Sequence, residues 1–334
     1  MIQKERIDRL LEGYKELKIA TLCSHSALQI FYGAKLEGIK TIGICTKEKK
    51  KLYERFPKAK PDEFVIIDSY RDIDFSEIVS RNGIIIPHGS FVEYVGKKLD
   101  NAEVPIYGNR RSLVYERDRE RMLSWLRKAG INVPKTFEPK KIKKPTIVKF
   151  PGAKGGRGYP IVKNYEEYKK KIGKRKAVAQ EFISGIRAYP HYFNSIFDGV
   201  ELLGVDRRIE SNADEFARAI AAGHHDISFT IVANESIVLR ESLLLDYIKI
   251  GDAVVNASKK IFGGIFGPFC VETIITPDLE IYAFEISARI VAGTNILYHP
   301  YAEFVYGKDM FLGRRMAVEL KRAFAENRLT EIIY

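Results

Sequence analysis

The amino-acid sequence predicts an α/β architecture in its first third and an α+β architecture in the remainder, and three observations lead there. Short apolar runs alternate with helical stretches as far as Tyr107, a charged helical segment follows, and from Thr146 onward strands are joined mainly by turns. The first pattern makes a parallel sheet with helices on both faces, a Rossmann-like N-terminal domain. It lacks the glycine fingerprint of dinucleotide binders. The chain divides into this domain over 1–125, a small subdomain with a glycine-rich loop over 126–190, and a C-terminal subdomain with a metal site over 191–334.

Taken in order, Ile2, Ile7, Leu10, Leu11, Tyr14 and Leu17 recur at helical spacing and predict an amphipathic lead helix over 2–17. Ile19-Ala20-Thr21-Leu22 reads as the first strand, and Ser24-His25-Ser26 opens a helix that Gly38 ends. Thr41-Ile42-Gly43-Ile44, Phe64-Val65-Ile66-Ile67, Gly83-Ile84-Ile85-Ile86 and Val104-Pro105-Ile106-Tyr107 continue the series of strands. A charged helix from Ser112 to Ala129, stopped by Gly130, leads into the second part, whose helices fall near 165–172, 243–262 and 308–327.

Composition narrows the function. Of 334 residues 46% are apolar and 29% charged, as in a folded globular protein. No apolar run reaches the ~20 residues that span a bilayer, and the N-terminus has no uninterrupted apolar core of a signal peptide. Cys23, Cys45 and Cys270 are too few and too far apart for a disulfide framework or a zinc spacing, so a cytoplasmic protein is expected. The formal charge of +12 raises nucleic acid as a partner, but the lysine run at 47–51 has no interleaved aromatics. The charge suits phosphorylated small molecules or a thermophile's charge-rich surface equally, and neither nucleic acid nor a membrane is expected as a partner.

The strand Pro145-Thr146-Ile147-Val148-Lys149-Phe150 runs into Pro151-Gly152-Ala153-Lys154-Gly155-Gly156-Arg157-Gly158, and Pro160-Ile161-Val162 follows. A surface hairpin needs only one or two glycines. Four glycines interleaved with cations instead suit a loop whose N–H groups close around phosphate oxygens. Lys149 projects from the strand, and Gly155, Gly156 and Arg157 move with the loop. No helix follows with a Gly-Lys-Ser/Thr step, which excludes a Walker A motif.

Glu272 and Glu285 stand on two apolar segments, Gly267–Ile275 and Glu280–Arg289, separated by Thr276-Pro277-Asp278-Leu279. A two-residue loop pairs Glu272 with Ala283 and leaves Glu285 one diagonal step away on the same face, roughly 7–8 Å off. A register one residue different turns Glu285 to the other face. On the same face the pair would bind one magnesium ion. Arg289 then serves either to clamp a transferred phosphoryl group or to neutralise the carboxylates.

A strand lysine, a glycine-rich hairpin, a hinge at Gln180-Glu181-Phe182-Ile183 and a Glu…Glu pair, in that order, resemble the ATP-grasp superfamily. Ser24-His25-Ser26-Ala27-Leu28, Pro87-His88-Gly89-Ser90-Phe91, Tyr107-Gly108-Asn109-Arg110-Arg111 and Phe284-Glu285-Ile286-Ser287-Ala288-Arg289 narrow the resemblance to one archaeal family. This is the formate-dependent 5-aminoimidazole-4-carboxamide ribonucleotide (AICAR) ligase, or FAICAR synthetase, and the likeness covers nearly the whole chain. It implies an ATP-grasp fold after the Rossmann-like domain, and a carbon–nitrogen ligase of purine biosynthesis that uses ATP, formate and Mg²⁺ or Mn²⁺. It also implies a homo-oligomer. Carried over by position, His25, Ser90 and Asn234 contact the substrate nucleotide, Glu181, Phe182, Ile183 and Glu210 contact ATP, and Glu272 and Glu285 hold the metal. Lys149 and Arg289 become the catalytic cations. Two segments depart from the family: Tyr115-Glu116-Arg117 stands where Trp-Glu-Ser is usual, and 218–226 replaces an Arg-Ile-Pro-Ala-Lys stretch. These departures define the alternatives, a paralogue acting on another small acid and amine or a non-catalytic nucleotide-binding regulator.

Overall fold

The computed structural model describes residues 1–150, 159–211, 215–224 and 230–334. In the first region β1 (Lys18–Leu22), β2 (Lys40–Cys45), β3 (Glu63–Ile66) and β4 (Gly83–Ile85) form a parallel sheet in the order β3-β2-β1-β4. Ile19, Ala20, Leu22, Ile42, Ile44, Ile84 and Ile85 are buried, as the middle of a sheet covered on both faces requires. The segment expected as a further strand contributes one parallel bridge, Ile106 to Ile85. Tyr107 and Gly108 then turn to meet Ile333 near the chain's end. The lead helix is shorter than its apolar spacing suggests, running Lys4–Glu12 and stopping at Gly13.

The expected helix over 112–129 is two helices, Arg110–Arg117 and Arg119–Lys128. Asp118 leaves the helical backbone (φ −108°, ψ 107°), and its carboxylate accepts the N–H groups of Glu120 and Arg121 at 3.1 Å. An N-cap of this kind starts a new helix more readily than it continues an old one. The break turns Glu116 and Arg119 toward the last strand of the fold, where both find partners of opposite charge.

The second region is a small antiparallel sheet of β5 (Thr136–Phe137), β6 (Thr146–Lys149), β7 (Ile161–Val162) and β8 (Val178–Glu181), in the order β5-β8-β6-β7. The third is a five-stranded antiparallel sheet of β9 (Ile186–Ser195), β10 (Gly199–Glu210), β11 (Ile231–Ser236), β12 (Gly267–Ile275) and β13 (Ile281–Ser287), in the order β11-β10-β9-β12-β13. Helix Glu241–Phe262 covers one face of it. A Cβ on Gly251 of that helix would lie 2.7 Å from the Tyr192 ring, and the Tyr192 hydroxyl donates to the Tyr247 carbonyl at 2.7 Å.

The C-terminal helix Leu312–Ala325 packs on helix Ala27–Leu36 of the first region. Gly33 and Gly313 make the contact: a Cβ on either would come within 2.4 Å of the other helix's backbone. Arg110, fully buried, donates to the carbonyls of Leu99, Ala102, Val104 and Tyr334 and ties the chain's end to the parallel sheet. One end of the antiparallel sheet's other face, at Phe193 and Leu203, packs on this C-terminal helix, and the rest lines a cavity shared with the C-terminal edge of the parallel sheet. No helix among the described residues is long and apolar enough to cross a membrane.

Candidate active site

The β12–β13 hairpin decides whether its two glutamates meet. It closes through residues 276–280, with Ile275 paired to Ile281 and the Thr276 N–H donating to the Glu280 carbonyl at 2.9 Å, rather than through a two-residue loop. Continued unchanged, that register would oppose Glu272 to Phe284 and turn Glu285 away. After Thr273↔Ala283 the ladder slips by one, and Glu272 pairs directly with Glu285. The extra residue, Phe284, is a bulge that re-aims the acid after it. The carboxylates are thus direct neighbours instead of the diagonal pair the sequence suggested.

Both acids have cationic partners. Arg208 Nη2 donates to Glu272 Oε1 at 2.9 Å, and Arg119 Nη1 donates to Glu285 Oε2 at 3.3 Å. Burial pushes the Glu272 carboxyl above its usual range against the pull of Arg208, and the neighbouring Glu285 adds to the rise. Burial acts the same way on Glu285, but Arg119, Lys149 and Arg208 outweigh it and hold that carboxyl below its ordinary value. One acid raised and its neighbour lowered is how two close carboxylates divide their charge. Among the described residues no third His, Cys, Asp or Glu joins them. The donor set fits a hard divalent cation of the magnesium type, which takes one or two carboxylates and fills its remaining positions with water and phosphate.

Lys149 ends β6, buried, with its ammonium 4.6 Å from the centre of the Phe284 ring. Burial lowers its pKa to about 7, and Arg119 adds to the fall. A strand lysine in so dry a place is ready to gain a proton when an anion arrives. The flanking strands pair as expected for a hairpin, Thr146 with Val162 and Ile147 with Ile161, while Gly155, Gly156 and Arg157 lie outside the described residues. Arg289 lies beyond the end of β13, where Glu116 holds it at 2.9 Å and also accepts the Ala288 N–H at 2.9 Å.

At the parallel sheet's edge, His25 has a left-handed backbone (φ +53°) and its ring stacks on His88 at 5.3 Å. His88 is fully buried. Its Nε2 lies 2.9 Å from the Leu22 carbonyl, and its Nδ1 accepts the Ser90 N–H at 3.2 Å, an arrangement that suits the neutral ring. Burial lowers the His88 pKa to about 4. The Ser90 hydroxyl donates to Ser24 Oγ at 2.9 Å, and Asn295 donates to the His25 carbonyl at 2.9 Å. Gly89 is required beside this stack, since a Cβ there would lie 2.7 Å from His25 Nε2.

One cavity of about 380 Å³ collects these groups. Lys149, Glu181, Phe182, Ile183 and Glu210 line it, as do Asn234, Glu272, Glu285 and Arg289, and His25 and Ser90 stand at its end by the parallel sheet. Every candidate residue within the described part of the chain therefore meets the same space. Glu181 receives Lys144 and the Lys135 N–H, and Glu210 is held by Arg187. Sequence reasoning missed Arg119, Arg187, Arg208, Tyr189 and Glu116. A signal existed for some: Asp206, Arg208 and Glu210 alternate along β10, as Arg187 and Tyr189 do along β9, so period two sends them to one face. Glu116 and Arg119 depended on the break at Asp118 and carried no such signal.

Comparison with known proteins follows the same outline. A family model described as "Protein of unknown function (DUF1246)" matches residues 19–137, and one described as "Domain of unknown function (DUF1297)" matches residues 165–334. A relative from Methanococcoides burtonii named 5-formaminoimidazole-4-carboxamide-1-(beta)-D-ribofuranosyl 5'-monophosphate synthetase is 45% identical over an alignment of 356 positions that covers 100% of both chains. The crystal structure of an IMP biosynthesis protein PurP from Thermococcus kodakaraensis matches with a TM-score of 0.79 and 32% identity, over 95% of this chain and 100% of that one. An N5-carboxyaminoimidazole synthetase from Staphylococcus aureus shares the fold at a TM-score of 0.66 and 14% identity, over 92% of this chain and 77% of that one. Two antiparallel sheets closing on one cavity, a lysine from the smaller and opposed carboxylates from the larger, make this an ATP-grasp fold joined to a Rossmann-like domain. Within that class the likeness runs the length of the chain, and the protein belongs to the 5-formaminoimidazole-4-carboxamide ribonucleotide synthetase family.

Proposed function

We propose that the protein joins formate to the 5-amino group of AICAR at the expense of ATP, giving FAICAR, ADP and phosphate in purine biosynthesis. The observation that carries this reading is the single cavity with opposed carboxylates and a buried lysine at one place and His25 and Ser90 at its far end. A formate oxygen attacks the γ-phosphorus, the bond to the bridging oxygen breaks, and ADP leaves. The amine nitrogen then attacks the formyl carbon, phosphate departs, and the nitrogen loses a proton.

The residues divide this work. Lys149, protonated against the phosphates, and Arg289, aimed by Glu116, stabilise charge on the transferred group. Glu272 and Glu285 would hold Mg²⁺, or Mn²⁺ in its place, which supplies Lewis-acid polarisation of the phosphoryl oxygens. The backbone of Glu181, Phe182 and Ile183 faces the adenine and Glu210 the ribose, while Gly155, Gly156 and Arg157 close over the phosphates. His25, Ser90 and Asn234 hold the nucleotide. In this reading the three segments 1–125, 126–190 and 191–334 serve as nucleotide platform, phosphate cover and metal-bearing sheet, in a cytoplasmic homo-oligomer.

The test is ADP formation against a matrix of small acids and aminoimidazole ribonucleotides. Release that requires formate and AICAR together is expected. Release with another acid or amine and none with this pair would replace the reading with that of a paralogue.

A further inference from the structure

The antiparallel sheet holds one cation whose chemistry the assignments above leave unused. Arg208 sits on the cavity face of β10, paired across the ladder with Asn234 of β11. Its guanidinium carbon lies 3.8 Å from the centre of the Tyr189 ring, and Nη2 donates to Glu272 Oε1 at 2.9 Å. The ring fixes the plane and the carboxylate fixes the rotation. Among the described residues the guanidinium makes no other hydrogen bond, so Nε and Nη1 keep their donors on the cavity side of a half-buried group.

The other cations are committed. Arg289 donates from Nε to Glu116 and from Nη1 to the Ile290 carbonyl, and its Nη2 is ion-paired with the same Glu116 oxygen at 2.9 Å. Arg119 is divided between Glu285 and the Tyr159 hydroxyl, its remaining Nε, unpartnered among the described residues, is buried away from the open cavity space, and Arg187 is held by Glu210. Lys149 offers a point charge. A planar fork held flat with donors to spare matches a carboxylate, which accepts two parallel N–H bonds.

Its place matches as well. Arg208 touches a proposed metal ligand on one side, and together with Arg289 it lies within electrostatic range of His25. The acid must sit between the transferred phosphoryl group and the nucleotide's amine, because it reacts first with one and then with the other. We propose that Arg208 is the formate-binding residue, holding the planar carboxylate beside Glu272 so that one oxygen points at the γ-phosphorus. The assignment rests on the formate-dependent reaction proposed above and adds to it the subsite for the acid. Formate presents too few atoms to bind well by contact area, so a pre-aligned charge-assisted fork is the economical way to hold it.

Arg208→Lys tests this, because it keeps the positive charge next to Glu272 and loses the fork. The KM for formate is expected to rise about 10- to 100-fold, with the KM for ATP and for AICAR within about 2-fold of the parent protein. Tyr189→Leu, which leaves both charges and removes the plate under the guanidinium, should raise the formate KM about 3- to 10-fold. Melting temperatures and direct binding of a non-hydrolysable ATP analogue confirm that both variants are folded with the nucleotide site intact. An unchanged formate KM in folded Arg208→Lys, or a rise in the KM for ATP instead, would overturn the subsite and leave the formylation reading standing. Absence of formate-dependent ADP release in the parent protein would overturn both.

Discussion

The parallel sheet and the five-stranded antiparallel sheet carry polar groups in opposite ways. In the parallel sheet the strand interiors carry no charge, and His25, His88 and Ser90 appear only past the C-terminal ends of β1 and β4. In the antiparallel sheet charges stand on the strands themselves: Arg187 on β9, Arg208 and Glu210 on β10, Glu272 on β12 and Glu285 on β13. The difference follows from what covers each sheet. Helices on both faces leave a parallel sheet only its edge for chemistry. An antiparallel sheet with helix Glu241–Phe262 on one face can give to a ligand cavity the part of its other face that Phe193 and Leu203 do not pack against the C-terminal helix. Positive and negative charges there are balanced pairwise across strands, which keeps each from being an uncompensated buried ion.

The largest break in this comparison is expected at the centre of the antiparallel face. Glu285→Gln should lower formate- and AICAR-dependent ADP release by roughly 10²- to 10³-fold, with little change in melting temperature. Near-normal turnover would remove Glu285 from the machinery and leave it a structural partner of Arg119. At the parallel edge the larger effect is on stability. The unfolded chain protonates His88 near its ordinary value of 6.5, whereas the folded chain holds it neutral down to about 4. Stability present above pH 6.5 is therefore lost as the pH falls toward 4, by about 3 kcal/mol. Urea midpoints of the parent protein and His88→Asn, compared at pH 7 and pH 4.5, measure it; equal slopes in the two proteins would assign the acid sensitivity elsewhere. Gly89→Ala should have the smallest effect, because a Cβ 2.7 Å from His25 Nε2 must displace the ring. About a 10-fold rise in the KM for AICAR is expected, with the KM for ATP unchanged. If both constants rise together, the edge and the sheet face do not act separately.

Legibility in the sequence followed the same divide. The strands of the parallel sheet are continuous apolar runs bounded by turn residues, and all four stand where those runs predicted. Helices over 165–172, 243–262 and 308–327 were visible from periodicity and are seen as Tyr165–Ile172, Glu241–Phe262 and Leu312–Ala325. Arg187 and Arg208 escaped because a charged residue on a strand looks solvated until the neighbouring strands are known. The helix break at Asp118 escaped because the apolar spacing of Leu113, Met122 and Trp125 runs on across it.

By itself the sequence determined the order of the parts: apolar strands, a strand lysine before a glycine-rich stretch, and two acids on one hairpin. Those are local properties, written in periodicity, turn residues and spacing. Only the tertiary structure decided how the acids meet. The loop over 276–280 shifted the register by one, and the Phe284 bulge shifted it by one more in the same direction, so Glu272 and Glu285 face each other through two deviations whose sum no local pattern reports. It alone decided, too, that Glu116 reaches Arg289, that Gly33 lies against Gly313, and that Arg208 rests on Tyr189 beside Glu272. Contacts between distant segments depend on where whole elements dock, and docking is settled by the packing of every face at once.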